Sequence, residues 1–311
     1  MIHERQQEIS KQSDGFLIGS FFGEEEEIVE DHIVALMEAV IDYIEQHLDE
    51  KLDLGTVAEA VHYSKYHLHR LFAKTTGMTL HDYVQRRQMT EAAKLLVFSD
   101  QPILETALIC GYESQQAFSS AFKAMYKTAP AEYRDHCVFY PLQLRFTLMK
   151  NAERTAFTTD DIVLAEKEDI PAWMELMRLV IDGYPVMNED EYRRAITASI
   201  EERRALVLQD GGRLTGAMTF SPDTGCIDFW GVHPQYRRQG VQKLFLDVLM
   251  EDCLPGRDIS TTTYRAGDKA DTGYRDALRQ LGFAERELLI EFGHPTQRFV
   301  LPCRDTEDDR S

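Results

Sequence analysis

A fifty-residue internal repeat constrains the first half of this chain more than any other feature. Ser64-Lys65-Tyr66-His67-Leu68-His69-Arg70-Leu71-Phe72 is answered fifty positions later by Ser114-Gln115-Gln116-Ala117-Phe118-Ser119-Ser120-Ala121-Phe122. Leu68 aligns with Phe118, Phe72 with Phe122, and Tyr83 with Tyr133 at the same offset. Self-similarity at a fixed period reports a repeated supersecondary unit. Each copy follows a short helical stretch that holds a small residue, Ala58 or Ala107. A turn comes next, His62-Tyr63 in the first copy and Cys110-Gly111-Tyr112-Glu113 in the second, where Ala107 to Ser114 is one residue longer than Ala58 to Ser64. A small residue lets two helices cross closely and a Ser caps the second of them, so each copy predicts a helix-turn-helix. A long helix over Leu80–Phe98 joins the two, and Ile33, Leu36, Met37, Val40, Ile41, Ile44 and Leu48 mark one face of another helix upstream.

In the first copy Leu68, Leu71 and Phe72 form the inward face, which leaves Lys65, Tyr66, His67, His69 and Arg70 to solvent or to a groove. Basic, polar and aromatic side chains at the start of such a helix suit a major-groove reader. Arg pairs bidentately with guanine and Gln with adenine. Net charge opposes that reading at first: Lys and Arg number 34, Asp and Glu 53, and the 311 residues carry −19. Phosphate binding needs cations. The charge is segregated, however. Residues 1–50 carry −12, residues 51–150 carry +3 with five of the ten histidines, and residues 151–311 carry −10. Only the segment that holds the repeat favours a polyanion.

Other classes fall away. No run of 18 apolar residues offers a membrane span, and the N-terminal residues have no apolar stretch to serve as a signal peptide, so the expected location is the cytoplasm. The five cysteines, Cys110, Cys137, Cys226, Cys253 and Cys303, are scattered and lack any CxxC, which argues against a disulfide framework or a zinc site. His62, His67 and His69 have no Cys or carboxylate to complete a shell, so no metal is expected.

The chain divides into an acidic leader (1–30), an all-α region with two helix-turn-helix units (31–135), a linker or bridging strand (136–158), a mixed α/β domain (159–300) and an acidic tail (301–311). In the α/β part, apolar runs predict strands at 162–165, 205–209, 213–221, 226–232 and 259–264, with helices at 170–181, 190–203, 241–252 and 271–281.

Residues 33 to 134 resemble the DNA-binding domain of AraC/XylS-type transcriptional regulators. The resemblance rests on Ser64-x3-Leu68-x-Arg70-x-Phe72, Gly77, Pro102-Ile103, Gly111-Tyr112-Glu113-Ser114-Gln115-Gln116-x-Phe118 and Pro130-x-x-Tyr133-Arg134. It implies two recognition helices in successive major grooves of double-stranded promoter DNA, with RNA polymerase a further partner there. The base-reading residues would be Tyr66, His69 and Arg70, then Gln115, Gln116, Ser119 and Ser120. Relatives often carry a basic residue where Ser120 stands, which implies a weaker second half-site. Backbone contacts are expected from Lys65, Lys74, Arg86, Arg87, Lys123 and Lys127.

The sharpest signal of the second half is Ile227-Asp228-Phe229-Trp230-Gly231-Val232-His233-Pro234-Gln235-Tyr236-Arg237-Arg238-Gln239-Gly240-Val241-Gln242. A strand, a Pro turn and a basic Gly-containing loop run into a helix whose buried face is Val241, Leu244, Phe245, Val248 and Leu249. Free N–H groups at such a helix start, together with its dipole, bind a pyrophosphate. Too few glycines stand here for a Rossmann fingerprint, and no Gly-Lys-Ser/Thr makes a P-loop.

From Asp161 to Phe292 the chain resembles the GNAT N-acetyltransferases, on Arg237-x-x-Gly240-x-Gln242 and Leu281-Gly282-Phe283. The resemblance implies an α/β domain with a mixed, mostly antiparallel sheet and acetyl-CoA as co-substrate. That co-substrate would be held by Val232, Arg237, Arg238, Gln239, Gly240, Val241 and Gln242. Gln242 replaces the family's small residue. Acetyl transfer to an amine needs a base, for which Asp228 is the candidate. The family's acidic Tyr is Leu278 here, and Tyr274, one turn earlier, is the candidate acid. Acceptor recognition is expected from Tyr184, Glu189, Tyr192 and Arg193, and charge alone suits a cationic acceptor such as a polyamine. Three readings follow: a regulator with an active acetyltransferase domain, a regulator whose GNAT-like domain only senses an acyl-CoA or another small molecule, and an acetyltransferase whose helical domain no longer binds DNA. The first is favoured.

Overall fold

The computed structural model describes residues 32–149, 156–180, 188–291 and 294–303. The expected leader, most of the expected tail and Tyr184 lie outside the described residues.

The first half is helical throughout: α1 (32–46), α2 (Leu54–Ala60), α3 (Lys65–Thr76), α4 (Leu80–Phe98), α5 (Ile103–Ile109), α6 (Gln115–Tyr126) and α7 (Pro130–His136). The two copies of the repeat fold alike at the level of single hydrogen bonds. Ser64 Oγ accepts from His67 N–H and Ser114 Oγ from Ala117 N–H, capping α3 and α6. In the turns, Tyr63 N–H reaches Ala58 C=O at 2.8 Å and Tyr112 N–H reaches Ala107 C=O at 2.9 Å. Ala58 and Ala107 are buried at the crossings. His62, at φ 54°, takes the left-handed conformation that Gly111 takes at φ 77° in the second copy. Gly111 is required there for a second reason, since a Cβ would stand 2.8 Å from Glu50 O.

Each copy has its own core. One gathers Met37, Ile41, Ile44, Val57, Leu68, Phe72, Leu80 and Tyr83. The other gathers Met89, Ala93, Leu96, Phe118, Phe122, Tyr126 and Tyr133. The segment 138–149, expected as a linker or bridging strand, pairs with no strand and instead straps the two cores together. Phe146 and Leu148 enter the first core, Tyr140 and Leu142 the second. The Phe146 ring stacks on Tyr83 with centroids 5.0 Å apart.

The second half is an α/β unit around one seven-stranded sheet of order β1-β2-β3-β4-β5-β7-β6. Its strands are β1 (Ile162–Leu164), β2 (Ala205–Asp210), β3 (Arg213–Ser221), β4 (Cys226–Val232), β5 (Ile259–Tyr264), β6 (Ala284–Glu291) and β7 (His294–Leu301). Neighbours are antiparallel except β4 and β5. Helices α8 (Ile170–Val180) and α9 (Glu189–Glu201) pack on one face, α10 (Val241–Val248) on the other, and α11 (Tyr274–Gln280) precedes the β6–β7 hairpin.

Arg86 and Arg87 of α4, expected on the phosphate backbone, are buried. Arg86 is 1% exposed and donates to Ala270 O at 2.9 Å and Leu142 O at 3.0 Å, tying α4 to the strap and to the α/β unit. Arg87 forks onto Glu45. Lys127 is drawn off as well, paired with Asp268 of the α/β unit at 2.5 Å. A guanidinium placed in the interior must find acceptors there, and the strap's carbonyls supply them.

Candidate functional site

On α3 the side chains of Lys65, Tyr66, His67, His69, Arg70 and Lys74 are exposed while Leu68 and Phe72 are fully buried. Arg70 lies over the Tyr66 ring at 5.6 Å, an i, i+4 pair that keeps the guanidinium extended from the helix. On α6, Gln115, Gln116 and Ser120 are exposed and Ser119 is half-buried, with Lys123 further along the exposed face. The seven residues expected to read bases therefore occupy the outer faces of the two repeated helices. Lys65, Lys74 and Lys123 are the remaining exposed cations of the six expected at phosphates.

The loop expected to hold acetyl-CoA is built on a sequence of anchors. His233 Nε2 meets Thr147 O of the strap at 3.2 Å, and Gln235 exchanges two hydrogen bonds with the Met149 backbone, at 2.6 and 2.9 Å. Tyr236 donates to the buried Asp210 at 2.7 Å. The chain then turns through Gly240, at φ 77°, into α10. A Cβ at Gly240 would meet nothing within 4 Å, so the approach to the helix start is open. No side chain caps α10, and the first N–H groups of an uncapped helix have no partner within it.

Arg238, Gln239 and Gly240 are exposed, Gln242 is half-buried, and Val232 and Val241 are buried beneath them. Arg237 is differently employed. Its Nε donates to Val232 O at 3.3 Å, its guanidinium covers the Tyr274 ring at 5.6 Å, and its stem lies against Gly77 at the end of α3.

Strands β4 and β5 pair only at Cys226 and Ser260 and part beyond that point. On its other edge β4 carries an irregularity against β3, between the pairs Phe220–Ile227 and Thr219–Phe229, which leaves Asp228 unmatched. A bulge of this kind re-aims one side chain and frees its backbone groups. Asp228 lines an open cleft of about 670 Å³ together with Glu202, Arg204, Cys226, Ser260 and Arg298 among others. Burial raises its carboxyl above the usual range, and Arg204, 4.0 Å away, pulls against the shift.

Tyr274, its hydroxyl 3.5 Å from Val180 O, does not line this cleft. The helical residues expected to recognise an acceptor stand elsewhere too. Glu189 pairs with Arg178, and Tyr192 accepts a bond from Trp173 and packs edge-on to Phe229. Arg193 is exposed on α9 outside the cleft. Sequence reasoning missed Arg204, Cys226, Ser260 and Arg298, which four separate stretches of chain bring together. Among the described residues no group of His, Cys, Asp and Glu could hold a metal ion, and no helix is long and apolar enough to cross a membrane.

Two capped helix-turn-helix units strapped to a splayed-sheet acyltransferase fold define a DNA-binding domain joined to an acetyltransferase-type domain. The chain belongs to the AraC-type helix-turn-helix regulators and carries a GNAT domain after the DNA-binding one. The helix-turn-helix domain family model matches residues 57–136, and the acetyltransferase (GNAT) family model matches residues 173–283. The multiple antibiotic resistance protein MarA of Escherichia coli is 43% identical over 96 residues, which are 31% of this chain and 76% of MarA. The regulatory protein SoxS of Escherichia coli is 36% identical over 99 residues, 32% of this chain and 92% of SoxS. An uncharacterized HTH-type transcriptional regulator of Bacillus subtilis, YbfP, is 37% identical over 98 residues; the match spans 32% of this chain and 33% of YbfP.

Proposed function

We propose that this chain is a sequence-specific transcriptional regulator, working in the cytoplasm on double-stranded promoter DNA with RNA polymerase as a further partner, whose second domain transfers acetyl from acetyl-CoA to an amine. The observation that carries the catalytic half is the Asp228 carboxyl, held at the bulge of β4 beside the gap between β4 and β5. The uncapped start of α10, with Gly240, Val241 and Gln242 contributing N–H groups and Arg238 a charge, suits the pyrophosphate. Acetyl-CoA supplies an activated thioester. Asp228 takes a proton from the amine, whose nitrogen forms a bond to the acetyl carbon as the C–S bond breaks. The strand edge left unpaired by the gap offers donors to the oxyanion. Tyr274, the candidate acid, stands outside the cleft around Asp228, so the departing thiolate takes its proton from water.

Acetyl-CoA at a hundred times its Kd is expected to stabilise the folded chain by about 2.7 kcal/mol, read as a raised Tm. Gly240→Val, which forces a β-branched residue to φ 77° and fills the open approach, is expected to abolish that rise. Release of free CoA thiol with a panel of amines tests transfer itself. A second reading, acyl-CoA sensing without turnover, is favoured by the contact of Gly77 with Arg237, since it joins the end of recognition helix α3 to the cofactor loop. Stabilisation by acetyl-CoA with no thiol release from any amine decides for the sensor.

For the DNA-binding half, Arg70→Ala is expected to weaken binding to the cognate promoter by about 1–3 kcal/mol, roughly five- to a hundred-and-fiftyfold, while the steep salt dependence of binding to unrelated DNA persists. Fluorescence anisotropy with both DNAs checks this. Equal affinity of the unmodified chain for the two would overturn sequence-specific recognition.

A further inference from the structure

The cleft around Asp228 contains two guanidiniums in a part of the chain whose residues 151–311 carry a net −10. They are not equivalent. Arg204 is engaged: its Nε donates to Glu202 at 2.5 Å, and its Nη1 stands 4.0 Å from Asp228. Arg298, half-buried on β7 opposite Thr262, has one long neutral hydrogen bond, to Ser260 Oγ at 3.3 Å. No carboxylate among the described residues lies within ion-pair distance of it. A partly buried guanidinium without an anion is a costly arrangement, and its planar fork matches a carboxylate bidentately.

Resting on the acetyltransferase reading, we propose that the acceptor is an amine that also bears a carboxylate, an amino acid in kind, with its amine at Asp228 and its carboxylate on Arg298. The spacing suits such a molecule. Arg298 reaches Ser260, Ser260 pairs with Cys226, and Asp228 lies two residues further along β4, a strand repeat of about 7 Å. An α-amino acid, its amine and carboxylate roughly 3 Å apart, can reach with one hydrogen bond of about 2.8 Å at each end between two groups on the same cleft wall. The Cys226 thiol lies between the two groups. Burial pushes it up, Asp228 adds to the effect and Arg298 opposes it.

A polyamine fits less well despite the acidic lining. Of the other lining carboxylates Glu202 is taken by Arg204 and Glu291 accepts from Thr296, which leaves Asp223, and a second ammonium would be brought against Arg298.

The test uses the full chain with acetyl-CoA and free-thiol detection. The acceptors are glycine, aspartate, lysine and phenylalanine, the corresponding amino acid amides, and putrescine and spermidine. The amides are expected to fall at least about tenfold below the acids in kcat/KM. Arg298→Met is expected to raise KM for the acids by a similar factor and to erase the acid–amide difference, with kcat and the KM for acetyl-CoA unchanged. Arg298→Lys is expected to restore part of the preference. Retained stabilisation by acetyl-CoA shows that each variant is folded. Amides or polyamines that match the acids, or an Arg298→Met effect that is equal on both, would overturn the proposal.

A second measurement separates this from the reading it rests on: calorimetric binding of the same acids in the presence of an unreactive CoA analogue. If no amine releases thiol, the acetyltransferase reading fails. Binding of the acids that is lost in Arg298→Met still supports the ligand class, and no binding of any of them overturns it.

Discussion

Replacing Arg87 with alanine is expected to destabilise the helical half by about 3–5 kcal/mol, the usual consequence of removing one partner from a buried ion pair. The Arg87 and Glu45 side chains are 9% and 13% exposed and meet through two hydrogen bonds of 2.6–2.7 Å. Arg87 also donates to Gln143 O of the strap at 3.1 Å, and Tyr83 donates to the same carboxylate at 2.8 Å. These contacts join α1, α4 and the strap. Alanine leaves a desolvated carboxylate with one phenol for company, and a strap carbonyl that keeps only its 3.3 Å bond from Thr90 Oγ1. Urea unfolding followed by circular dichroism should show the loss, and the double change Arg87→Met/Glu45→Leu should recover much of it. A cost below about 1 kcal/mol would place the pair among ordinary surface bridges. The same variant discriminates the two roles an arginine in this helix could have. A phosphate contact would lower the salt slope of DNA binding by about one without touching stability, whereas the buried pair alters stability and leaves the slope alone.

Arg87 also shows where the sequence was legible and where it was not. The caps Ser64 and Ser114, the crossing residues Ala58 and Ala107, and the inward Leu68, Phe72, Phe118 and Phe122 could be read because each obeys a local rule of spacing. So could β3, β4 and β5, whose ends agree with the expected ones. Whether an arginine on a periodic helix faces DNA or the interior depends on what covers it. The cover here is the strap 138–149, whose apolar residues alternate like a strand's, yet it pairs with no strand.

The β6–β7 hairpin was missed for a related reason. Ala284-Glu285-Arg286-Glu287-Leu288-Leu289-Ile290-Glu291 is composed of helix formers and charges, which an edge strand tolerates once β7 supplies its pairing. Of the candidate site, Asp228 and the Gly240 loop were visible as one continuous motif. Arg204 and Arg298 stand 94 positions apart and converge only through the order of the sheet, which puts β7 beside β5.

Acidification is expected to weaken the fold through His233, which is 3% exposed. Burial is the main cause that lowers its pKa from 6.5 to about 4, and the nearby Arg237 adds to it. Gln235 N–H donates to its Nδ1 at 3.4 Å, so the neutral ring carries its proton on Nε2, toward Thr147 O. The unfolded chain takes up a proton at this residue as pH falls through 6.5, and the folded chain does not until about 4. In that window the unfolded state holds more protons, and stability falls with falling pH. The full loss amounts to about 3 kcal/mol for this residue alone. Carboxylates titrate in the same range, so the quantity to measure is the difference in unfolding free energy between the unmodified chain and His233→Gln from pH 7.5 to 4.5. That difference should shrink toward acid, and a constant difference would remove His233 from the account. The folded ring stays neutral through most of that window, so the loop expected to hold acetyl-CoA should loosen only as the pH nears 4. A proton on Nδ1 ends the bond from Gln235 N–H, and Gln235 is the residue whose amide fixes the loop to Met149. Stabilisation by acetyl-CoA should therefore hold through this window and decline only as the pH approaches 4, and this residue's share of that decline should be absent in His233→Gln.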